Sequence, residues 1–151
     1  MQYEHTQAGR TTLLVAVFLI IIGAVSLPAI YDEDQVSALI LLAAIVVVLF
    51  TVIVFNRLTV IVAYGAITAK FGWGWPKRSH AFVEIAGIRQ VRNACIYGWG
   101  SRWIPGGWMY NVWGRDAVEL ALTSGQRFRI GTDEPERLLA ALPQELVRQE
   151  L

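Results

Sequence analysis

Catalysis needs a nucleophile beside a base, a pair of carboxylates or a cluster of metal ligands, and this sequence spaces such residues poorly. His5 and His80 are the only histidines. Each stands outside any ligand-spaced pattern of cysteine, histidine and carboxylate, so no metal site is expected. Cys95 is the only cysteine, which excludes an intrachain disulfide. Without an activating partner in sequence it reads as a small buried hydrophobe. Ser101 has no base near it. Gly72-Trp73-Gly74 and Gly98-Trp99-Gly100 contain a Gly-x-Gly, but Trp75 and Ser101-Arg102 follow instead of a third glycine or a Lys-Ser/Thr opening a helix. The sequence therefore predicts no catalytic, cofactor-binding or metal-binding residues, and a protein that is not an enzyme.

What the sequence does concentrate is tryptophan and positive charge. All six tryptophans lie between Trp73 and Trp113, and Trp73, Trp75, Trp99 and Trp103 fall in two glycine-rich segments. Tryptophan is favoured where an apolar phase meets water, because its ring is apolar and its N–H seeks a polar partner. These segments either touch a membrane or a partner, or pack over the open end of a small β domain. The candidate contact set is Trp73, Trp75, Trp99, Arg102, Trp103 and Trp108. Residues 57–129 hold ten Lys or Arg against three acids, a balance of +7, whereas 130–151 carry −3. Lys77, Arg78, Arg89, Arg92, Arg127 and Arg129 are the candidate basic face, able to draw anionic headgroups at about 1 kcal/mol each. No nucleic-acid partner is expected.

These residues must be held by the elements around them. Residues 13–30 and 36–55 contain no charge, and fifteen of the twenty from 36 to 55 are Leu, Ile, Val or Phe. On an insertion scale the second run sums to roughly −5 to −9 kcal/mol. Two transmembrane helices, about 12–30 and 36–55, are expected within an N-terminal unit of residues 1–56. The short acidic connection (Asp32, Glu33, Asp34) makes them antiparallel neighbours. Arg10 and Arg57 flank the pair on the other side, so the positive-inside rule puts both termini in the cytoplasm of a plasma (inner) membrane, with the protein multi-pass. A cleaved signal peptide ending near Ala24-Val25-Ser26 and a soluble core helix pair are the competing readings. No acid, base or histidine falls inside the spans, which suits an anchor rather than a conduction path.

Residues 57–151 change to a period of two. Strands are expected at 58–63, 67–71, 77–82, 88–92, 108–112, 117–122 and 126–130, with a turn at Tyr64-Gly65-Ala66, a bulge near Ala86-Gly87 and a long loop over 93–107. Val118, Leu120 and Leu122 would face inward with Phe128 and Ile130, leaving Glu119 outward opposite Arg127 and Arg129. His5 falls in a flexible N-terminus. A helix over about 133–142 opens with a capping box from Asp133 to Glu136 and buries Leu138, Leu139 and Leu142, and a turn or tail follows Pro143.

Leu58-Thr59-Val60, Gly72-Trp73-Gly74-Trp75-Pro76, Tyr97-Gly98-Trp99-Gly100, Pro105-Gly106-Gly107-Trp108 with Tyr110-Asn111-Val112, and Asp116-Ala117-Val118-Glu119-Leu120 running to Asp133 carry a resemblance across nearly all of 57–142. The chain resembles the bacterial pleckstrin-homology-like (PH-like) families of small two-helix membrane proteins. That resemblance implies an α+β membrane protein: a transmembrane helical hairpin, then a PH-like seven-strand β-barrel or sandwich capped by a C-terminal helix. It implies no activity. Phosphoinositide-holding PH domains carry a Lys–basic–x–Arg pattern near the first hairpin, whereas Lys77-Arg78 is followed by Ser79. The function expected is a non-catalytic, membrane-anchored scaffold that binds a protein partner or itself, with inner-leaflet lipid binding, to anionic lipid, as the alternative. The apolar runs predict that the chain stays in the membrane pellet through alkaline carbonate and high salt, checked by fractionation and immunoblotting. Release by either wash contradicts this.

Overall fold

The computed structural model describes residues 3–147. Residues 148–151, the end of the tail expected after Pro143, lie outside them, as does the side chain of Arg10. The chain begins with a strand, β1 (Tyr3–Ala8), rises through α1 (Arg10–Glu33), returns through α2 (Gln35–Phe55) and re-enters strand conformation as β2 (Arg57–Ala63). At about 1.5 Å per residue the helices are about 36 and 31 Å long. Asp34 alone separates them. Its carboxylate accepts hydrogen bonds from Ser37 Oγ at 2.6 Å and from Val36 N at 3.0 Å, which caps α2 and holds the carboxyl below its ordinary pKa. Ala16, Gly23 and Ala38 are buried within the pair, with Gly23 against the side chain of Ile45. The large exposed side chains of the helices are almost all Leu, Ile, Val and Phe, and only 11% of each apolar window is buried. Both are long and apolar enough to cross a membrane.

β1 pairs antiparallel with β2, from Tyr3 opposite Val62 to Ala8 opposite Arg57. Gly9 N then donates to Asn56 O at 2.8 Å. The strand pair thus passes into the helix pair through a single residue on each side, Gly9 and Asn56. β3 (Ala66–Phe71) and β4 (Lys77–Ala81) complete a four-stranded sheet in the order β1-β2-β3-β4. The second sheet holds β5 (Ile85–Arg92), β6 (Gly100–Ile104), β7 (Gly107–Asn111), β8 (Asp116–Leu122) and β9 (Arg127–Gly131), ordered β5-β8-β9-β7-β6. β7 and β9 run parallel, and the other pairs are antiparallel.

The core lies between the sheets. Leu58, Val60, Ile67 and Phe71 meet Ile88, Tyr110, Val118, Leu120, Phe128 and Ile130, with Leu138 and Leu142 closing one side. Phe71, Tyr110 and Phe128 form a chain of rings with centroids 4.8 and 5.1 Å apart. Each such side chain contributes about 1.5–3 kcal/mol by leaving water. Phe55, the last residue of α2, packs edge-on against Phe71 at 5.2 Å, so the core continues into the helix pair.

Several expectations change here. The described residues form nine strands in two sheets, not seven, and those sheets do not close into a barrel. β1 was masked by composition: Tyr3, His5 and Gln7 alternate toward the inner side as a strand requires, but two of the three are polar. β6 falls inside the glycine-rich stretch read as a loop, and its exposed, edge position needs no apolar alternation. The bulge is where expected, as a register shift between Ile85 and Gly87. The terminal helix is shorter, α3 (Pro135–Ala140), with a further turn α4 (Gln144–Val147). Asp133 does not cap it. Thr132 Oγ1 accepts from Glu134 N at 3.1 Å, while the Asp133 carboxylate stands 2.7 Å from Nε2 of His5. His5 is therefore paired, not part of a free terminus. The two sides of the helix pair contribute to one sheet, so truncating residues 1–8 should cost about 2 kcal/mol in lost strand hydrogen bonds and lower the melting midpoint in mild detergent by roughly 8 °C. An unchanged midpoint by near-UV circular dichroism contradicts a structural role for β1.

Candidate functional site

Two glycine-rich segments meet the end of α2 from different sheets. The turn between β3 and β4 begins at Gly72, whose N donates to Arg57 O at 2.9 Å. A Cβ at Gly72 would stand 2.6 Å from Val54 O, and its φ is +41°, so this approach is open to glycine alone. Gly74 N donates to Phe71 O at 2.7 Å, which folds the turn tightly and projects both tryptophans outward. Trp73 is 90% exposed and Trp75 73%. Trp73 lines a recess with Leu13 from the start of α1 and Val52 and Ile53 from the end of α2.

The second segment connects β5 to β6. Trp99 stacks on Trp113 with centroids 5.9 Å apart, and Gln7 Nε2 donates to Trp113 O at 2.9 Å, tying this segment to β1. Between it and α2 lies a cleft of about 540 Å³, lined by Thr51, Phe55 and residues 98–102. Arg102 Nε donates to Trp99 O at 2.8 Å. Trp103 and Trp108 face each other further along the β6–β7 hairpin, and the Arg78 guanidinium lies 5.0 Å from the Trp108 ring. Of the six candidate contact residues, Trp73, Trp99 and Arg102 thus gather beside the last turns of α2, Trp75 shares the turn of Trp73, and Trp103 and Trp108 form a separate patch. None of the four loop tryptophans is buried, so packing over an open barrel end does not describe them.

The candidate basic face divides. Arg89, Arg127 and Arg129 converge on Glu119, which is wholly buried rather than outward. Arg89 donates to its Oε1 from Nη2 at 2.6 Å and from Nε at 3.0 Å, Arg129 Nε donates to Oε2, and Arg127 Nη1 is 3.9 Å from Oε1. Strand alternation does put Glu119 opposite Val118 and Leu120. That outer face is covered, however, by the segment after β5: Arg129 Nη1 donates to Asn93 Oδ1 at 3.3 Å and its guanidinium is 5.9 Å from the Tyr97 ring. Burial raises the Glu119 pKa, but the hydrogen bonds and charges of Arg129 and Arg89 outweigh it and hold the carboxyl below its ordinary value. Arg92 instead faces Asp116 at 3.9 Å, and Lys77 and Arg78 belong to β4 in the other sheet.

The remaining chemical residues do not assemble. His80 is partly buried, 5.1 Å from the Phe128 ring and 3.8 Å from Glu84, and burial pushes its pKa down toward a neutral ring. Cys95 is exposed rather than buried, on a short turn Cys95–Tyr97. Among the described residues no group of three or more His, Cys, Asp or Glu is placed to hold a metal ion. Thr51, Phe55, Asn93 and Trp113 escaped sequence reasoning because only the tertiary fold joins them to the loops. Comparison of the chain with protein-family models, with curated proteins and with solved structures finds no match.

Glu119→Gln takes the counter-charge from the largely buried Arg129 and the partly exposed Arg89 and should cost about 2 kcal/mol. Because the folded-state pKa is lowered, the stability contributed by Glu119 is complete above pH 4.5, its ordinary value, and is lost as pH falls toward the folded-state value. Thermal melts of the full chain in detergent between pH 3 and 7 should therefore converge for Glu119→Gln and wild type at the acid end. Parallel curves across that range contradict the assignment.

Proposed function

We propose that this chain is a non-catalytic, membrane-anchored contact module, whose helix pair spans the inner membrane and whose β domain rests on the cytoplasmic face. One observation carries the reading: exposed Trp73 sits against the base of two exposed, apolar, membrane-length helices, at the level where a bilayer would give way to water. Trp99 lies at the same level beside Phe55. A soluble core pair would bury its apolar windows, and these are bare. A cleaved leader would carry away β1, which is paired with β2 and joined to Trp113 and Asp133. Arg57 at the helix base and the acidic turn at the tip favour cytoplasmic termini. Glu119 and the arginines around it satisfy one another, which suits a structural role.

The PH-like relation stays a proposal drawn from the sequence. A four-stranded sheet, a second sheet and a terminal helix in that order support it, while the parallel β7/β9 pair and open sheets depart from a closed seven-strand barrel.

A protein partner is the second reading, and the other tryptophan patch is the surface that favours it. Trp103 is 69% exposed on β6, an edge strand of its sheet, with Trp108 and Arg78 beside it. An unpaired edge flanked by tryptophan offers backbone hydrogen bonds and apolar area together. For the membrane reading, Trp73→Cys in a Cys95→Ser background, labelled with a polarity-sensitive dye and reconstituted in phosphatidylethanolamine/phosphatidylglycerol vesicles, should emit to the blue of the same label at Ser124→Cys and resist iodide quenching. Equal emission and quenching at the two positions contradict it.

A further inference from the structure

We propose that the cleft between the last turns of α2 and residues 98–102 holds one anionic phospholipid, with its phosphate on Arg102 and its upper acyl carbons along Thr51 and Phe55. The inference rests on the membrane-spanning reading above and adds a specific ligand to it.

The two walls of the cleft differ in chemistry. On one side stand Thr51 and Phe55, four residues apart and so on one face of α2 within its last turns. Thr51 Oγ1 is turned back onto Val47 O at 2.8 Å, so its methyl is what remains for the cleft. On the other side the backbone of residues 98–100 comes close, and Arg102 stands over it. A Cβ at Gly98 would lie 3.6 Å from Arg102 Cζ, so the guanidinium rests against the Gly98 backbone. Together with the Nε bond to Trp99 O, that contact orients the guanidinium before any ligand arrives.

Of the other arginines from 89 to 129, Arg89, Arg92, Arg127 and Arg129 each have a carboxylate within 4.0 Å, and Arg115 donates from Nε to Asn93 O. Among the described residues Arg102 has no acidic partner, and its two Nη groups have no hydrogen-bond partner. It is exposed, yet it stands beside the end of an apolar span, where the phosphates of a surrounding leaflet lie. A guanidinium offering two parallel donors matches two phosphate oxygens, and the Trp99 ring supplies an interfacial wall for the glycerol region. The cleft, at about 540 Å³, takes a headgroup and the first methylenes of a chain rather than a whole lipid. The rest of the chain would lie along the exposed face of α2.

The test uses the full chain purified in mild detergent, with phosphatidylglycerol or phosphatidylcholine of equal chain length added and retention read by native mass spectrometry. Wild type should retain one phosphatidylglycerol in preference to phosphatidylcholine. Arg102→Gln should reduce that retention about five-fold, the worth of one near-surface charge. Arg92→Gln, which removes an equal charge paired with Asp116, should leave it unchanged. Thr51→Trp, filling the acyl side from an exposed helix position, should abolish it while Arg102 is intact. Equal retention by wild type and Arg102→Gln, or equal loss with Arg92→Gln, overturns the site. A chain released from membranes by carbonate would instead overturn the spanning reading, so the two failures are told apart.

Discussion

The antiparallel pairing of β1 with β2 is what joins the two halves of this molecule, because those strands are also the stems of the helix pair. Gly9 and Asn56 bond to each other at the joint, leaving no linker on either side. A flexible linker of even ten residues would let the β domain wander roughly 15–20 Å from the helix ends. Here the first sheet starts where the helices stop. The orientation of every later element is inherited from that joint, and Phe55 on Phe71 extends it into the core. The tight β3–β4 turn depends on it as well, since Gly72 bonds to Arg57 and lies against Val54.

From that constraint follows a division of the tryptophans. Those close to the joint, Trp73 and Trp99, share recesses with the helix ends, whereas Trp103 and Trp108 stand on an edge hairpin. Exposure of so many large rings would be a liability in a water-soluble domain, but at an apolar boundary it is a favourable arrangement. The positive charge is organised in a comparable way. Three arginines gather around buried Glu119, Arg129 largely buried and Arg89 and Arg127 still reaching solvent, and the Arg129 bond to Asn93 fastens the segment carrying Trp99 onto the second sheet.

How much of this was legible in the sequence depends on what each element needed from its residues. The helices announce themselves, since both runs are long and apolar all round, and the central strands carry β-branched alternation that survives into the structure at Leu58, Val60, Val62 and at Val118, Leu120. Edge strands need neither, so Tyr3–Ala8 and Gly100–Ile104 were silent: one is polar on its inner side, the other is glycine-bearing and exposed. Alternation placed Glu119 on the correct face but could not say that the face would be covered, because the cover comes from a loop more than twenty residues away. The tryptophan loops were found by composition. Their relation to Thr51 and Phe55 was not, since only the joint between strands and helices brings those residues together.

The most direct test is sided labelling of the full chain in oriented membrane vesicles with a membrane-impermeant maleimide, using natural Cys95 on the β domain and, separately, Asp32→Cys in a Cys95→Ser background at the helical turn. Cys95 should react only in inside-out vesicles and the Asp32→Cys position only in right-side-out ones. Reaction of both from the same side would show that the helix pair does not cross the bilayer and would contradict the account.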